Sequence, residues 1–115
     1  MPKDFARIDR IAEQIQRELA ELIRLEVKDP RVRKVTLTGV EVANDHSHAK
    51  VFYTSLDGDS PLLLQGLERA AGFLRSQLAR RIKLYTTPEL RFEYDESVER
   101  GDRLSRLIDS VIPKK

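Results

Sequence analysis

Apolar residues recur at three- and four-residue intervals along two long segments of the chain. In the first segment, about residues 4–25, the apolar positions are Phe5, Ile8, Ile11, Ile15, Leu19, Leu22 and Ile23. In the second, they are Leu64, Leu67, Ala71, Leu74, Leu78 and Ile82. This spacing is typical of amphipathic helices that bury one face. The second helix is expected to begin at Ser60 and Pro61, which are favoured residue types for an N-cap and a first helical position.

Gly72 interrupts the second helical segment. A glycine inside a helix costs about 1 kcal/mol relative to alanine, and this one follows two other small residues, Ala70 and Ala71. We therefore predict two helices separated by a kink at residues 70–72, where another backbone or a ligand can approach closely.

Alternating apolar and polar residues predict three strands. Residues 34–43 and 48–56 are expected to form an antiparallel hairpin around a turn at residues 44–47. In the first strand the alternation slips by one position at Gly39, which is typical of a β-bulge. Residues 89–94 form the third predicted strand, and since a long helical crossover precedes it, it can lie parallel to one hairpin strand.

The order of these elements predicts the fold class. A weaker helical pattern covers residues 98–112, and residues 112–115 are expected to be a frayed tail. The resulting order is α-β-β-α-kink-α-β-α, with a three-stranded mixed sheet and helices packed on one of its faces. That arrangement is a two-layer α+β domain. A chain of 115 residues is long enough for one such domain and too short for two, so we expect a single domain over residues 1–115.

The composition narrows the class of function. There is no cysteine, which excludes disulfides and thiolate metal sites and favours an intracellular, cytoplasmic protein. No apolar run approaches the roughly 18 residues of a membrane span, and no signal-peptide pattern is present. His46 and His48 lack a third metal ligand nearby in sequence, and there is no glycine-rich phosphate loop or G-x-S-x-G motif. We therefore expect neither an enzyme nor a bound metal, cofactor, small-molecule substrate or membrane partner.

Positive charge is concentrated in two regions although the net charge is only +2. Residues 69–83 contain five cations and no acid, and residues 24–34 contain five cations and two acids, whereas residues 93–99 are acidic. Cations near a helix C-terminus also complement the helix dipole, but an uninterrupted run of five beside a glycine indicates a surface for a polyanion. The candidate RNA-binding residues are Lys28, Arg31, Arg33, Lys34, Arg69, Ala70, Gly72, Arg75, Arg80, Arg81, Lys83 and Arg91.

The order of elements, with small residues between two helices, resembles the second type of KH domain. In KH domains a G-x-x-G loop allows four nucleotides of a single strand to pass close to the backbone. This chain has Ala70-Ala71-Gly72 in place of that motif.

Several collinear motifs resemble those of the bacterial ribosome-binding factor A family. They are Asp29-Pro30-Arg31, Val40-Glu41-Val42, Asp45-x-x-His48-Ala49-Lys50-Val51, Ala70-Ala71-Gly72-Phe73-Leu74-Arg75, Thr87-Pro88-Glu89-Leu90-Arg91-Phe92 and Asp95-x-Ser97-x-x-x-Gly101. The resemblance implies a KH-like fold with an A-x-G kink at Ala70 and Gly72. It also implies binding to the small ribosomal subunit and its 16S rRNA during late maturation, with support of 5′-end processing, notably in the cold. It implies no enzymatic activity, and we expect a monomer.

Two other functions fit the residues as well. A KH-like adaptor for single-stranded nucleic acid would use the same basic residues without a ribosome. A protein-interaction module would instead pair the separated basic and acidic regions with a partner protein.

Overall fold

The computed structural model describes residues 3–56, 58–84 and 86–97. Its elements, in chain order, are α1 (Lys3–Glu26), α2 (Pro30–Arg33), β1 (Val35–Val42), β2 (His48–Ser55), α3 (Pro61–Arg81) and β3 (Glu89–Tyr94). The predicted helix at residues 98–112 and the predicted tail at residues 112–115 lie outside the described residues.

The three strands form one mixed sheet in the order β1-β2-β3. β1 and β2 pair antiparallel, and β2 and β3 pair parallel, as the sequence predicted. Leu37 pairs with Tyr53, and Gly39 pairs with the preceding residue of β2, Phe52, so Thr38 is the extra residue of the predicted β-bulge. The bulge lets apolar residues on both sides of it, Leu37 and Val40, face the same side of the sheet.

The helices α1 and α3 pack on one face of this sheet. Ala49, Val51 and Tyr53 of β2 are fully buried, whereas Lys50 between them is exposed. This alternation places the core on the helical side. The other core side chains come mainly from the two helices and include Ile15, Leu19, Leu22, Leu67, Leu74 and Leu78. The predicted two-layer α+β architecture is therefore confirmed.

The helix α3 is one continuous element of 21 residues. The prediction of two helices at this place is wrong. Buried leucines lie on both sides of Gly72, and packing of both halves on the same sheet outweighs the roughly 1 kcal/mol cost of one helical glycine. The sequence also missed Leu63, which is only 4% exposed. Ser60 does occupy the N-cap position, but its side chain makes no capping hydrogen bond within the described part of the chain.

A short helix, α2, was not predicted. Asp29 is its N-cap and accepts a hydrogen bond from the Arg31 backbone N–H at 3.0 Å, and Pro30 occupies the first turn. Four residues are too few to show helical periodicity, so the pattern of apolar residues did not reveal this helix. Proline is favoured at the first helical position because its missing N–H would have no partner there.

None of the helices in the described ranges is both long enough and apolar enough to cross a membrane.

Candidate nucleic-acid interface

The outward side of α3 carries a row of exposed residues, and we call five of them, from Arg69 onward, the α3 ridge. They are Arg69, Gly72, Phe73, Ser76 and Arg80. At 100° per residue they fall within an arc of about 100°, opposite the buried leucines. Arg69 and Arg80 are separated by eleven residues, or about 16 Å along the axis. Neither guanidinium forms an ion pair with any residue in the described ranges, so both charges face solvent.

Gly72 lies on this ridge with open space around it. A β-carbon built on Gly72 would meet nothing within 4 Å. The close approach that the sequence predicted here is instead found at Gly66, where a β-carbon would lie 2.9 Å from Val32 Cγ2. Gly66 therefore allows α2 to pack on α3, and Gly72 leaves backbone accessible on the outer surface.

A groove of about 560 Å³ runs beside the ridge, between α3 and the segment that joins α1 to α2. It is lined by Glu26, Val27, Lys28, Asp29, Gly66, Arg69, Ala70 and Phe73. Lys28 and Arg69, which belong to the two separate basic regions of the sequence, thus face the same groove. The exposed ring of Phe73, which is 44% exposed, adds an apolar surface next to these cations.

Arg81 does not belong to this outward set. Its Nη1 donates hydrogen bonds to Glu18 Oε2 at 3.0 Å and to Glu21 Oε1 at 3.2 Å, and both acceptors lie on α1. The hydrogen bond to Glu18, followed by that to Glu21, raises the pKa of Arg81. The prediction that the five cations of residues 69–83 share one surface is therefore wrong for Arg81. Arg81 follows Leu74 by seven residues and Leu78 by three. The helical repeat by itself therefore predicts that Arg81 lies on the same side of α3 as these buried leucines.

Arg75 also has a structural partner. Its Nε and Nη2 donate to the backbone oxygen of Thr87 at 3.1 and 2.9 Å. These bonds hold the segment before β3 against α3. Because the acceptor is a neutral carbonyl, these bonds do not offset the positive charge of Arg75 at this edge of the helix. Lys83 is exposed just beyond the end of α3.

Apart from Lys28, the cations of the other basic region are divided among three places. Arg31 contacts the Asp29 carboxylate at 3.5 Å, which offsets its charge. Lys34 is exposed at the C-cap of α2. Arg33 lines a different groove, between α1 and β1, together with Arg17 and Arg24. The sequence analysis did not include Arg17 and Arg24 in the site, because the mixed charges of α1 gave no one-sided pattern.

Arg91 lies on the outer face of the sheet. It is exposed, and in the β2–β3 register it is the partner of Lys50, whose Nζ is 3.5 Å from Glu93 Oε2. The helices cover the opposite face. Arg91, although a candidate RNA-binding residue, therefore does not belong to the α3 ridge.

The acidic region occupies a separate groove at the ends of β2 and β3. Asp59, Glu93, Asp95 and Glu96 line it, together with aromatic residues. Asp95 accepts hydrogen bonds from Ser97 and from Thr38 Oγ1. These bonds lower the pKa of Asp95, and the bond from the Ser97 side chain has the largest effect. No group of three or more potential metal-ligating side chains occurs among the described residues.

Comparison with known proteins decides the family. The sequence model of ribosome-binding factor A matches residues 7–108. The chain belongs to the ribosome-binding factor A family. Ribosome-binding factor A of Azoarcus sp. (strain BH72) is 62% identical, over 97% of this chain and 90% of the relative. That of Nitrosomonas europaea is 61% identical over 99% of each chain.

Solved structures of ribosome-binding factor A share the fold. The crystal structure of the Thermus thermophilus protein gives a TM-score of 0.70 at 30% identity, over 76% of this chain and 94% of that one. Coordinates of the Thermus protein that were fitted, as a homology model, into a cryo-EM map of a 30S–RbfA complex give a TM-score of 0.66 at 29% identity, over 77% and 96% of the two chains.

Proposed function

We propose that this chain is an assembly factor that binds the 16S rRNA of the immature or free small ribosomal subunit through the α3 ridge. The observation that carries the proposal is the outward placement of Arg69 and Arg80 on either side of Gly72. Family membership supports the choice of the small subunit, since a relative has been fitted into a 30S complex.

The chemistry of the ridge fits folded RNA. Arginine forks bind phosphate oxygens with charge-assisted hydrogen bonds. A helical glycine with nothing packed on it permits an RNA backbone to approach the peptide groups closely. Lys28 lies across the groove from Arg69, in a lining that also contains Glu26 and Asp29, and the Asp29 carboxylate contacts Arg31. Binding is then mainly electrostatic and weakens as salt increases.

Asp95, in the acidic groove, does not have the pKa of a general acid. A general acid at neutral pH needs a raised carboxyl pKa, whereas the hydrogen bonds from Ser97 and Thr38 lower the pKa of Asp95.

In the proposed role, the chain holds a local rRNA conformation during late maturation and then leaves. We extend the proposal to support of 5′-end processing of 16S rRNA, including in the cold, by a monomer that acts in the cytoplasm where subunits are assembled.

Charge reversal on the ridge tests the proposal. In co-sedimentation with purified small subunits, Arg69→Glu/Arg80→Glu should abolish binding without changing the circular dichroism spectrum. The matched control is Arg7→Glu/Arg10→Glu, which makes the same charge change at exposed positions of α1 and should retain binding. Normal co-sedimentation of the ridge variant would overturn the proposed docking face.

A competition experiment separates the alternatives. The assembly-factor role requires higher affinity for intact small subunits than for short single-stranded oligonucleotides. Equal or higher affinity for the oligonucleotides would indicate a general single-strand adaptor. Binding to a partner that survives nuclease treatment would indicate a protein-interaction module.

A further inference from the structure

A second positively charged surface lies on the other side of α1 from α3. A groove of about 500 Å³, which we call the α1–β1 cleft, separates α1 from the start of β1. Three arginines line it: Arg17 and Arg24 from α1, and Arg33 from α2. The remaining lining residues are Ala20, Glu21, Ile23, Val35, Thr36 and Leu37.

The charge of the cleft is unbalanced. Its single acid is Glu21, and the Glu21 carboxylate is already bound to Arg81 on the α3 side, at 3.2 Å. The three arginines have no carboxylate partner within the described part of the chain, and all three are exposed. The cleft therefore presents three guanidinium groups to solvent with one carboxylate that is occupied elsewhere.

The arrangement fits an extended polyanion better than a single small anion. Arg17 and Arg24 are seven residues apart, which places them on the same side of α1 with a rise of about 10 Å between them. Ile23, Val35 and Leu37 also line the cleft and give it apolar surface. Arginines at several points bind successive phosphates, and apolar surface beside them packs on riboses or bases.

We propose that the α1–β1 cleft binds a second strand of RNA, separate from the RNA at the α3 ridge. This inference rests on the proposed function, because it takes rRNA as the polyanion already next to the chain. Glu21 lies between the two surfaces, since it lines the cleft and also accepts from Arg81. The chain then joins two rRNA segments, one on each side of α1, and fixes their relative position during maturation.

The first test removes two of the arginines. Arg17→Ala/Arg24→Ala should weaken binding to small subunits by about tenfold or more and reduce the slope of log K against log[salt] by about 2, one for each phosphate contact. Arg7→Ala/Lys50→Ala, which removes two exposed cations that line neither the cleft nor the α3 ridge, is the matched control and should leave both values near wild type. Equal effects of the two double variants would overturn the proposal.

The second test identifies the occupant and where it lies. In hydroxyl-radical footprinting at saturating protein, Arg17→Ala/Arg24→Ala should lose one set of protected nucleotides and keep the set that the milder ridge variant, Arg69→Ala/Arg80→Ala, loses. Thr36 is exposed and lines the cleft. A photo-crosslinker installed there, in a chain whose cleft arginines are unchanged, should yield ribonuclease-sensitive products. Crosslinks to an acidic protein instead, resistant to ribonuclease, would overturn it.

The two proposals fail in different ways. If the wild-type chain does not bind small subunits, the proposed function and this inference both fail. If the wild type binds and the ridge variant does not, but the cleft variant behaves as its control does, only the second RNA site is wrong.

Discussion

Gly66 and Val32 are in such close contact that a β-carbon on Gly66 would lie 2.9 Å from the Val32 Cγ2 methyl. Val32 is fully buried, and the Asp29 carboxylate is 3.2 Å from the same point. This contact fixes α2 on α3, and with it the segment that carries Lys28. The shape of the groove beside the α3 ridge therefore depends on the absence of a side chain at residue 66.

Alanine substitutions at the two helical glycines should have opposite consequences. Both gain about 1 kcal/mol of helix propensity, but Gly66→Ala also forces the buried Val32 aside, and such overpacking costs about 1–3 kcal/mol. In urea unfolding we expect Gly66→Ala to be less stable than Gly72→Ala by about 1–3 kcal/mol, the cost of overpacking. Equal stability of the two variants would show that α2 yields without cost.

Gly72→Ala is also informative about binding. The variant should fold at least as well as the wild type, because nothing lies within 4 Å of the added methyl. Weaker binding to small subunits would then report a close approach of RNA at Gly72. Full affinity would show that the glycine is not needed for contact.

Arg80 and Arg81 are adjacent in sequence, but substituting Arg80 should affect binding and substituting Arg81 should affect stability. Arg81 is held by Glu18 and Glu21, so Arg81→Met should lower stability modestly, and by less at high salt, with little change in binding. Arg80 faces outward, so Arg80→Met should weaken binding to small subunits and leave the unfolding midpoint unchanged. The two effects are measured by urea unfolding and by a binding titration. The opposite pattern would mean that the ion pairs of Arg81 are exchanged for RNA contacts in the complex.

The bulge residue Thr38 should make stability depend on pH. Its hydroxyl donates a hydrogen bond to the Asp95 carboxylate at the end of the sheet. The side-chain hydrogen bond from Ser97, followed by this one from Thr38, lowers the pKa of Asp95. A carboxyl whose pKa is lowered by folding stabilises the folded state above its unfolded pKa of about 4, and this contribution is lost as the pH falls through the folded pKa.

Thr38→Val removes one of these hydrogen bonds. We expect a loss of about 1 kcal/mol at pH 7, and the gap from wild type should narrow below about pH 4. Urea unfolding between about pH 7 and pH 3 measures this gap. A gap that is constant with pH would mean that the hydroxyl does not interact with the ionised carboxylate. Thr36→Val, on the same strand without this bond, is a suitable control.

Local patterns in the sequence were enough to predict the sheet. Alternation that slips at Gly39 placed the bulge, and the long crossover before residues 89–94 predicted a parallel third strand, which pairs with β2. These features depend on neighbours in the chain and on the handedness of connections. The short helix α2 was missed because only its N-cap residue and its proline indicate it, and four residues show no helical periodicity.

The site was harder to predict because it depends on contacts between distant segments. A run of cations in sequence does not say which side chains meet carboxylates, and Arg81 meets Glu18 and Glu21, which lie 63 and 60 residues earlier in α1. Likewise, a glycine in a helix does not reveal whether a neighbour packs on it. Only the packing of α2 distinguishes Gly66 from Gly72.

The most direct test of the central claim, that outward cations of α3 bind rRNA phosphates, is the salt dependence of binding to purified small subunits. We predict that log K falls linearly with log[salt] for the wild type, and that Arg69→Ala/Arg80→Ala reduces the slope by about 2. An unchanged slope and affinity in that variant would contradict the claim.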